Sequence, residues 1–293
     1  MNSDPKTKSR TATAIEAPPL RAGNAGRRGQ ARLAACTSTA LGSPWPAPSH
    51  ARDIQSAPSF VEDFKSFDRS PWYVSDGWNN DSHQNCTWSK ELAELSEGVL
   101  SLGFEKRKLK DRDFACGEMR TRQRFGYGTY EPRMKTESGS GLNASFFTYT
   151  GPADKQPWDE IDFDILTKDT SKVQVRPYVE GKGKNEKLVD VPGGTDGAFN
   201  DHAFVWQKDS LRWYVNGRLV NTIADPAKLP AHAQKMFFSL WGGDNMKGWM
   251  GAFADPGRKL SLQVERVAFT ALGEPCQFPE PLVCSVKELG KTN

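Results

Sequence analysis

From Phe60 onward the chain is cut into short runs in which β-branched or aromatic residues alternate with polar ones, and almost nothing is spaced for an amphipathic helix. "GVLSLGFE", "FGYGTYEPRMK", "LNASFFTYT", "DEIDFDIL", "KVQVRPYV", "HAFVWQ", "LRWYVNGRLVNTI", "KMFFSLWGG" and "KLSLQVERVAFTAL" all show this pattern. Successive side chains of a strand point to opposite faces, so each run predicts a strand with one core-facing side. In "VNGRLV" the pair Asn216-Gly217 stands between apolar runs, and Asn-Gly tolerates the positive φ of a two-residue hairpin turn. Many short strands of this kind read as an all-β sandwich of two antiparallel sheets, one domain over about residues 60–280. With 37% apolar residues and 9 Trp in 293 positions, a sizeable core is available.

Residues 1–58 are of another kind. They are rich in Ala, Pro, Ser, Thr, Gly and Arg, nearly lack aromatics, and show no apolar periodicity, so they cannot bury enough apolar surface to order themselves. "RRGQARLAAC" followed by "TSTALGSPWPAPSHA" has a basic start, a weak apolar run and a small-x-small end, like a degraded secretory signal. The expectation is an export signal of this kind or a disordered tail, followed by a catalytic domain over 59–275 and an extension over 276–293. The tail holds 8 of the 39 Lys/Arg and 3 of the 36 Asp/Glu, a net of +5, which leaves the body at −2. The body is therefore not a nucleic-acid binder on charge grounds, and no run of about 20 apolar residues is available to span a bilayer. Four of the 5 cysteines, Cys86, Cys116, Cys276 and Cys284, lie in the body and are compatible with two disulfides and an exported protein, secreted or periplasmic. The four histidines, His50, His83, His202 and His232, are scattered and read as surface or loop residues, since ligand sites need clustered donors.

"DEIDFDIL" carries the chemistry. As a strand it sends Ile161, Phe163 and Ile165 into the core and sets Glu160, Asp162 and Asp164 on the opposite face, about 6.5–7 Å apart along the chain. Like charges this close raise the pKa of at least one member. Glycoside hydrolysis needs that arrangement: one ionised carboxylate to attack the anomeric carbon and one protonated carboxyl to release the leaving oxygen. A solvated acidic face or a divalent-cation site is the other reading of the same residues. Sugars are bound by aromatic platforms and planar hydrogen-bonding groups, and Trp158, "FFTYTG", "SLWGG" and "GWMG" supply aromatics around the strand, although core packing is the commoner fate of an aromatic.

The blocks "NCTW", "FACGEMR", "YGTYE", "SFFTYTGPA", "WDEIDFDIL", "KDTSKVQ", "WYVNG" and "SLWGG" resemble, in content and order, glycoside hydrolase family 16, and most closely its bacterial lichenases, the endo-β-1,3-1,4-glucanases. The resemblance covers about residues 60–272. It implies a β-jelly roll of two curved antiparallel sheets, concanavalin A-like, with a cleft across the concave face. It implies endo-cleavage of β-linked glucose polymers, a β-1,3/1,4-glucan or a bacterial exopolysaccharide, by double displacement with retention, in a monomer that needs no cofactor for catalysis. By position, Glu160 matches the nucleophile, Asp162 the Asp that tunes it, and Asp164 the acid/base. Glu118 and Arg120 match a pair that holds sugar hydroxyls, and Asn80 an Asn of the early cleft loop. Phe147, Tyr149, Trp158, Tyr178, Trp241 and Trp249 resemble cleft-lining or stacking residues. Cys86 and Cys116 match the lichenase disulfide, and Cys276 and Cys284 could close a second. Some members hold a structural calcium through backbone carbonyls and a late acidic side chain, near which Glu265 stands.

The sequence departs from the family at three places. Asp164 stands where the family has Glu, which draws the carboxyl back by about 1.3–1.5 Å. Retaining hydrolysis survives if the backbone shifts inward, whereas a wider gap admits an inverting water, and weak acid/base work leaves a transglycosylase or a non-catalytic glycan-binding protein. Arg176, in "VQVRPY", shares the face of Gln174 and Tyr178. It pairs either with an acidic substituent on the substrate or with an internal carboxylate, Asp164 or Glu180. Ser239 replaces an Asn of the lichenases in "SLWGG".

Overall fold

The computed structural model describes residues 56–66, 68–277 and 283–285. The expectations for the tail and for most of the 276–293 extension fall outside the described residues. Among those described, the strands are β1 (Phe60–Glu62), β2 (Trp72–Val74), β3 (Cys86–Trp88), β4 (Ala93–Ser96), β5 (Val99–Leu109), β6 (Arg112–Thr121), β7 (Gly128–Thr136), β8 (Leu142–Thr150), β9 (Asp159–Leu166), β10 (Lys172–Val179), β11 (Lys182–Gly183), β12 (Lys187–Asp190), β13 (Asn200–Trp206), β14 (Leu211–Val215), β15 (Arg218–Ile223), β16 (Lys235–Gly242) and β17 (Leu260–Ala271). The one α-helix described, α1, is the single turn Lys247–Met250.

Two antiparallel layers result. One runs β2-β6-β16-β8-β9-β10-β12. The other runs β4-β5-β17-β7-β13-β14-β15, with β1 beside the end of β17. Strand β6 belongs to both. Its first half, to Cys116, pairs with β5, and from Gly117 onward it pairs with β16. A strand that switches sheets must bend where the layers are closest. A side chain at Gly117 would come within 2.6 Å of the Leu92 carbonyl oxygen, so only glycine fits the crossing. The Asn216-Gly217 turn between β14 and β15 has positive φ at both residues, 50° and 75°, as the hairpin reading requires.

The core lies between the layers. Ile161, Phe163 and Ile165 are fully buried there, and Phe204 of the second layer meets Phe146 and Phe163 at ring separations of 6.1 and 6.3 Å. Trp213 reaches across from β14 and donates its indole N–H to the Asp162 carbonyl, 3.2 Å away, which ties β9 to the opposite layer.

Both expected disulfides are formed. Cys86–Cys116 fastens β3 to the crossing point of β6. Cys276–Cys284 closes a short loop; next to it Val283 packs on Ala203, Val205 and Tyr214, and the Cys284 N–H donates to Glu131. Two of the histidines are not the surface or loop residues expected from the sequence: His202 is fully buried with its ring against Phe163, and His83 is buried in a 3₁₀ turn. His232 is a half-buried loop residue, as expected, and binds the buried Asp159 carboxylate at 2.8 Å. A neutral imidazole is apolar enough to be buried, which scattered spacing does not reveal. His50 lies outside the described residues.

Candidate active site

The register of the first layer explains the site. Side chains on its outer face fall into rows across the strands. Gln174, Asp164, Ser145, Ser239 and Glu118 form one row. Arg176, Asp162, Phe147, Phe237 and Arg120 form the next, and Tyr178, Glu160 and Tyr149 a third. The period of two that sends Ile161, Phe163 and Ile165 inward therefore aims the three carboxylates at a cavity on this face. It is lined among others by Asn80, His83, Glu118, Asn143, Ser145, Phe147, Trp158, Arg176, Tyr178, Ser239, Trp241 and Trp249.

Each carboxylate has its own partner. The Trp158 indole N–H donates to Glu160 Oε2 at 2.7 Å, and the Asn143 amide donates to Asp164 Oδ1 at 2.8 Å. Arg176 places Nε 3.5 Å from Asp162 Oδ2 and Nη2 3.5 Å from Asp164 Oδ2. Asp162 Oδ1 is buried with no hydrogen-bond partner. Across the cleft Glu118 accepts a 2.6 Å hydrogen bond from Ser75.

Burial governs the ionisation of all four acids. It lifts Glu160 to about 7, assisted by the Asp164 charge and opposed by the Trp158 hydrogen bond and by Arg176. Asp162 is pushed well above the carboxylate range by burial and by the charges of Glu160 and Asp164. Burial also raises Asp164, against the pull of Arg176 and Asn143. Glu118 rises to about 7, again through burial. The site thus keeps both ionised and protonated carboxyls near neutrality, as two-carboxylate glycosidic chemistry requires.

Aromatic rings line the rim. Trp158 stacks on Tyr178 at 4.8 Å, the Arg176 guanidinium lies 4.6 Å from the Tyr178 ring and 5.7 Å from that of Trp249, and Trp249 meets Trp241 at 6.2 Å. The α1 turn carries Trp249, whose N–H donates to Gln174 at 2.8 Å. Flat apolar rings beside polar groups suit the faces and hydroxyls of a sugar chain.

Two expected residues stand outside this cavity. Arg120 shares the face, but its guanidinium lies over the Tyr73 ring at 4.4 Å, and Tyr149 packs edge-on against Phe237 at 6.1 Å. Both follow the period of two. Arg120 lies three strands from Asp162 along its row, whereas Tyr149 is directly opposite Glu160 with its ring turned onto Phe237. Asn143, Ser145 and His83 were not expected. The alternation of "LNASFFTYT" carries a signal for the first two, since they fall on the face of Phe147. His83, edge-on to Trp241 at 5.9 Å, comes from a short turn with no period to read. Glu265 Oε2 accepts from the Arg133 guanidinium at 2.7 Å, so a calcium ion there would share this carboxylate with Arg133. Among the described residues the one cluster of candidate metal donors is Glu131, Cys276 and Cys284, and its cysteines are disulfide-bonded.

A two-layer β-sandwich with a carboxylate triplet on the floor of an aromatic-rimmed cleft has the architecture of a polysaccharide glycosidase. Residues 80–256 match the family model Glycosyl hydrolases family 16, and the chain belongs to that family. It is 58% identical over 229 residues to the endo-1,3-1,4-β-glycanase ExoK of Rhizobium meliloti, a match that covers 78% of this chain and 85% of that protein. It is 40% identical over 200 residues to a β-glucanase of Bacillus amyloliquefaciens, covering 68% and 82%. Among solved structures, a β-1,3-1,4-glucanase (lichenase) from a mouse hindgut metagenome superposes with a TM-score of 0.70 at 36% identity, over 74% of this chain and 100% of that one.

Proposed function

We propose that this glycoside hydrolase is an endo-β-glucanase that cleaves β-linked glucose polymers, a β-1,3/1,4-glucan or a bacterial exopolysaccharide, with retention. The observation that carries this reading is the projection of Glu160, Asp162 and Asp164 together into the aromatic-rimmed cleft. Asp164 gives its proton to the glycosidic oxygen while Glu160 attacks the anomeric carbon, and the leaving chain departs with that proton. Asp164, now ionised, takes a proton from water, whose oxygen attacks the same carbon and frees Glu160. Asp162, holding a proton beside Glu160, keeps a second negative charge away from the nucleophile. The shortened Asp164 is accommodated by the floor beside it: Ser145 and Ser239, hydrogen-bonded to each other at 2.9 Å, are small enough for a sugar to sit deep. Glu118, Phe147, Trp158, Tyr178, Trp241, Trp249 and Asn80 supply sugar contacts. Two disulfides support a secreted or periplasmic setting, and we read the enzyme as a monomer.

The test is reducing-end release from lichenan, laminarin and bacterial exopolysaccharides, with the first-formed product followed by proton NMR. New β-anomeric ends that mutarotate later are expected. First-formed α ends would replace retention with inversion, and no release from any polymer by folded protein would overturn the enzyme reading. Glu160→Gln is expected to lower kcat by at least about 10³-fold with the fold intact, because no nucleophile then remains.

A further inference from the structure

Resting on the glycosidase reading, we propose that Arg176 is a positioning residue of the acid/base cycle: its guanidinium bridges Asp162 and Asp164, fixes the shorter acid in place and offsets the charge of the triplet. The row structure puts Arg176 directly opposite Asp162. From there Nη2 donates a long hydrogen bond to Asp164 Oδ2 at 3.5 Å, and Nε stands in ion-pair contact with Asp162 Oδ2 at 3.5 Å without hydrogen-bond geometry. The guanidinium lies over the Tyr178 ring at 4.6 Å and 5.7 Å from the Trp249 ring, and Trp249 is itself held by Gln174. A planar fork held against rings loses little further freedom when it binds two acids. Arg176 is only 8% exposed, so its charge has little access to solvent.

This arrangement decides between the two readings left open by the sequence. A guanidinium aimed outward would await an anionic substituent. Here it faces the triplet, and among the described cavity-lining residues it is the one permanent cation. His83, the other basic group, is kept neutral by burial. Facing Arg176 are Glu160, Asp162 and Asp164 from β9 and Tyr178 from its own strand, with Glu118 across the cavity from β6; the near neighbours Asn143 and Gln174 are neutral. An Asp in place of a Glu is a shorter tether and needs a fixed partner to hold its carboxyl on the substrate side. Arg176 and Asn143 grip its two oxygens separately.

The bridge has a measurable sign. Arg176 favours the ionised forms of both Glu160 and Asp164. Glu160 must be ionised to attack, which sets the acid limb of the profile of kcat/KM against pH, and Asp164 must be protonated to donate, which sets the basic limb. Removing the guanidinium raises both, so the whole bell moves to higher pH. An opposite charge at this range shifts a carboxylate by about 1 unit or more.

The experiment measures pH profiles on one neutral β-glucan for the wild type, Arg176→Gln and Arg176→Lys, with Glu160→Gln as the inactive control. The Gln variant is expected to shift both limbs upward by about 1 unit and to lose about tenfold or more in kcat. The Lys variant keeps the charge, so its limbs stay in place while kcat falls, since one ammonium cannot span two carboxylates. Should the Gln variant fail to fold, Arg176→Met fills the same slot against the rings and reads the same shift. An unmoved bell in a folded Gln or Met variant overturns the proposal, as does a rise in KM alone, which would mark a substrate contact. A wild type that releases no reducing ends overturns the glycosidase reading instead, and the two failures are distinct.

Discussion

At the scale of single residues, Glu160, the proposed nucleophile, accepts one hydrogen bond on Oε2, from Trp158. Glu160 sits near 7 because burial outweighs the Trp158 hydrogen bond, so kcat/KM falls as the pH drops through neutrality and the carboxylate protonates. Trp158→Phe keeps the stack on Tyr178 but removes the donor. Glu160 is then harder to ionise, and the acid limb moves upward; activity falls more at pH 6 than at pH 8, a ratio that steady-state assays read directly. Asp159, the neighbour of Glu160, is anchored differently. Its carboxylate accepts from the Glu180 and Ala231 backbone N–H groups and pairs with His232, which pins the start of β9. Asp159→Ala removes the acceptor of the Glu180 and Ala231 N–H groups, and chemical denaturation should show a loss of about 1–2 kcal/mol.

At the scale of elements, β9 is held from behind as well as from its edges. The Trp213 bond to the Asp162 carbonyl crosses the core, and Trp213→Phe should lower stability by about 1–2 kcal/mol in urea unfolding, with kcat reduced through loss of register on the cleft floor. On β7, Glu131 is buried beneath the C-terminal loop, and burial lifts it to about 7. An acid raised this way holds in the folded state a proton that the unfolded chain has already released. Stability therefore declines as pH rises from about 4.5 through 7. Glu131→Gln keeps the acceptor for the Cys284 N–H and removes the titration. Its Tm should change less between pH 5 and 8 than that of the wild type, and at pH 8 it should be more stable by up to about 3 kcal/mol. Opening Cys86–Cys116 with paired serine substitutions should cost about 2–4 kcal/mol, because a 30-residue loop is freed in the unfolded chain and β3 loses its tie to β6.

For the whole molecule, calcium at Glu265 would have to compete with the Arg133 guanidinium, which engages one oxygen of that carboxylate. A chelator should leave Tm unchanged, and added calcium should not raise it. Much of the architecture was legible because strands report their faces in a period of two. That period placed Ile161, Phe163 and Ile165 in the core and the three carboxylates on the opposite face, and the family resemblance made that face a cleft. It did not say which strands lie side by side. Arg120 was therefore assigned to a cavity three strands away along its row, and Arg176 could be given a face and candidate partners, Asp164 or Glu180, but no choice between them and the substrate. His83 and His232 sit in turns, where contacts are set by tertiary packing and leave no local spacing to read.

The trough is floored by the outer face of one layer whose strands are hydrogen-bonded edge to edge, with β6 tied at its crossing by a sulfur bridge, so its floor is laid down with the fold itself. The trough therefore exists before any polymer arrives. A fixed gutter of this sort admits a strand sideways at any point along its length, without waiting for a free tip to thread through, so cuts scattered mid-chain follow from how one ribbon of backbone is laced.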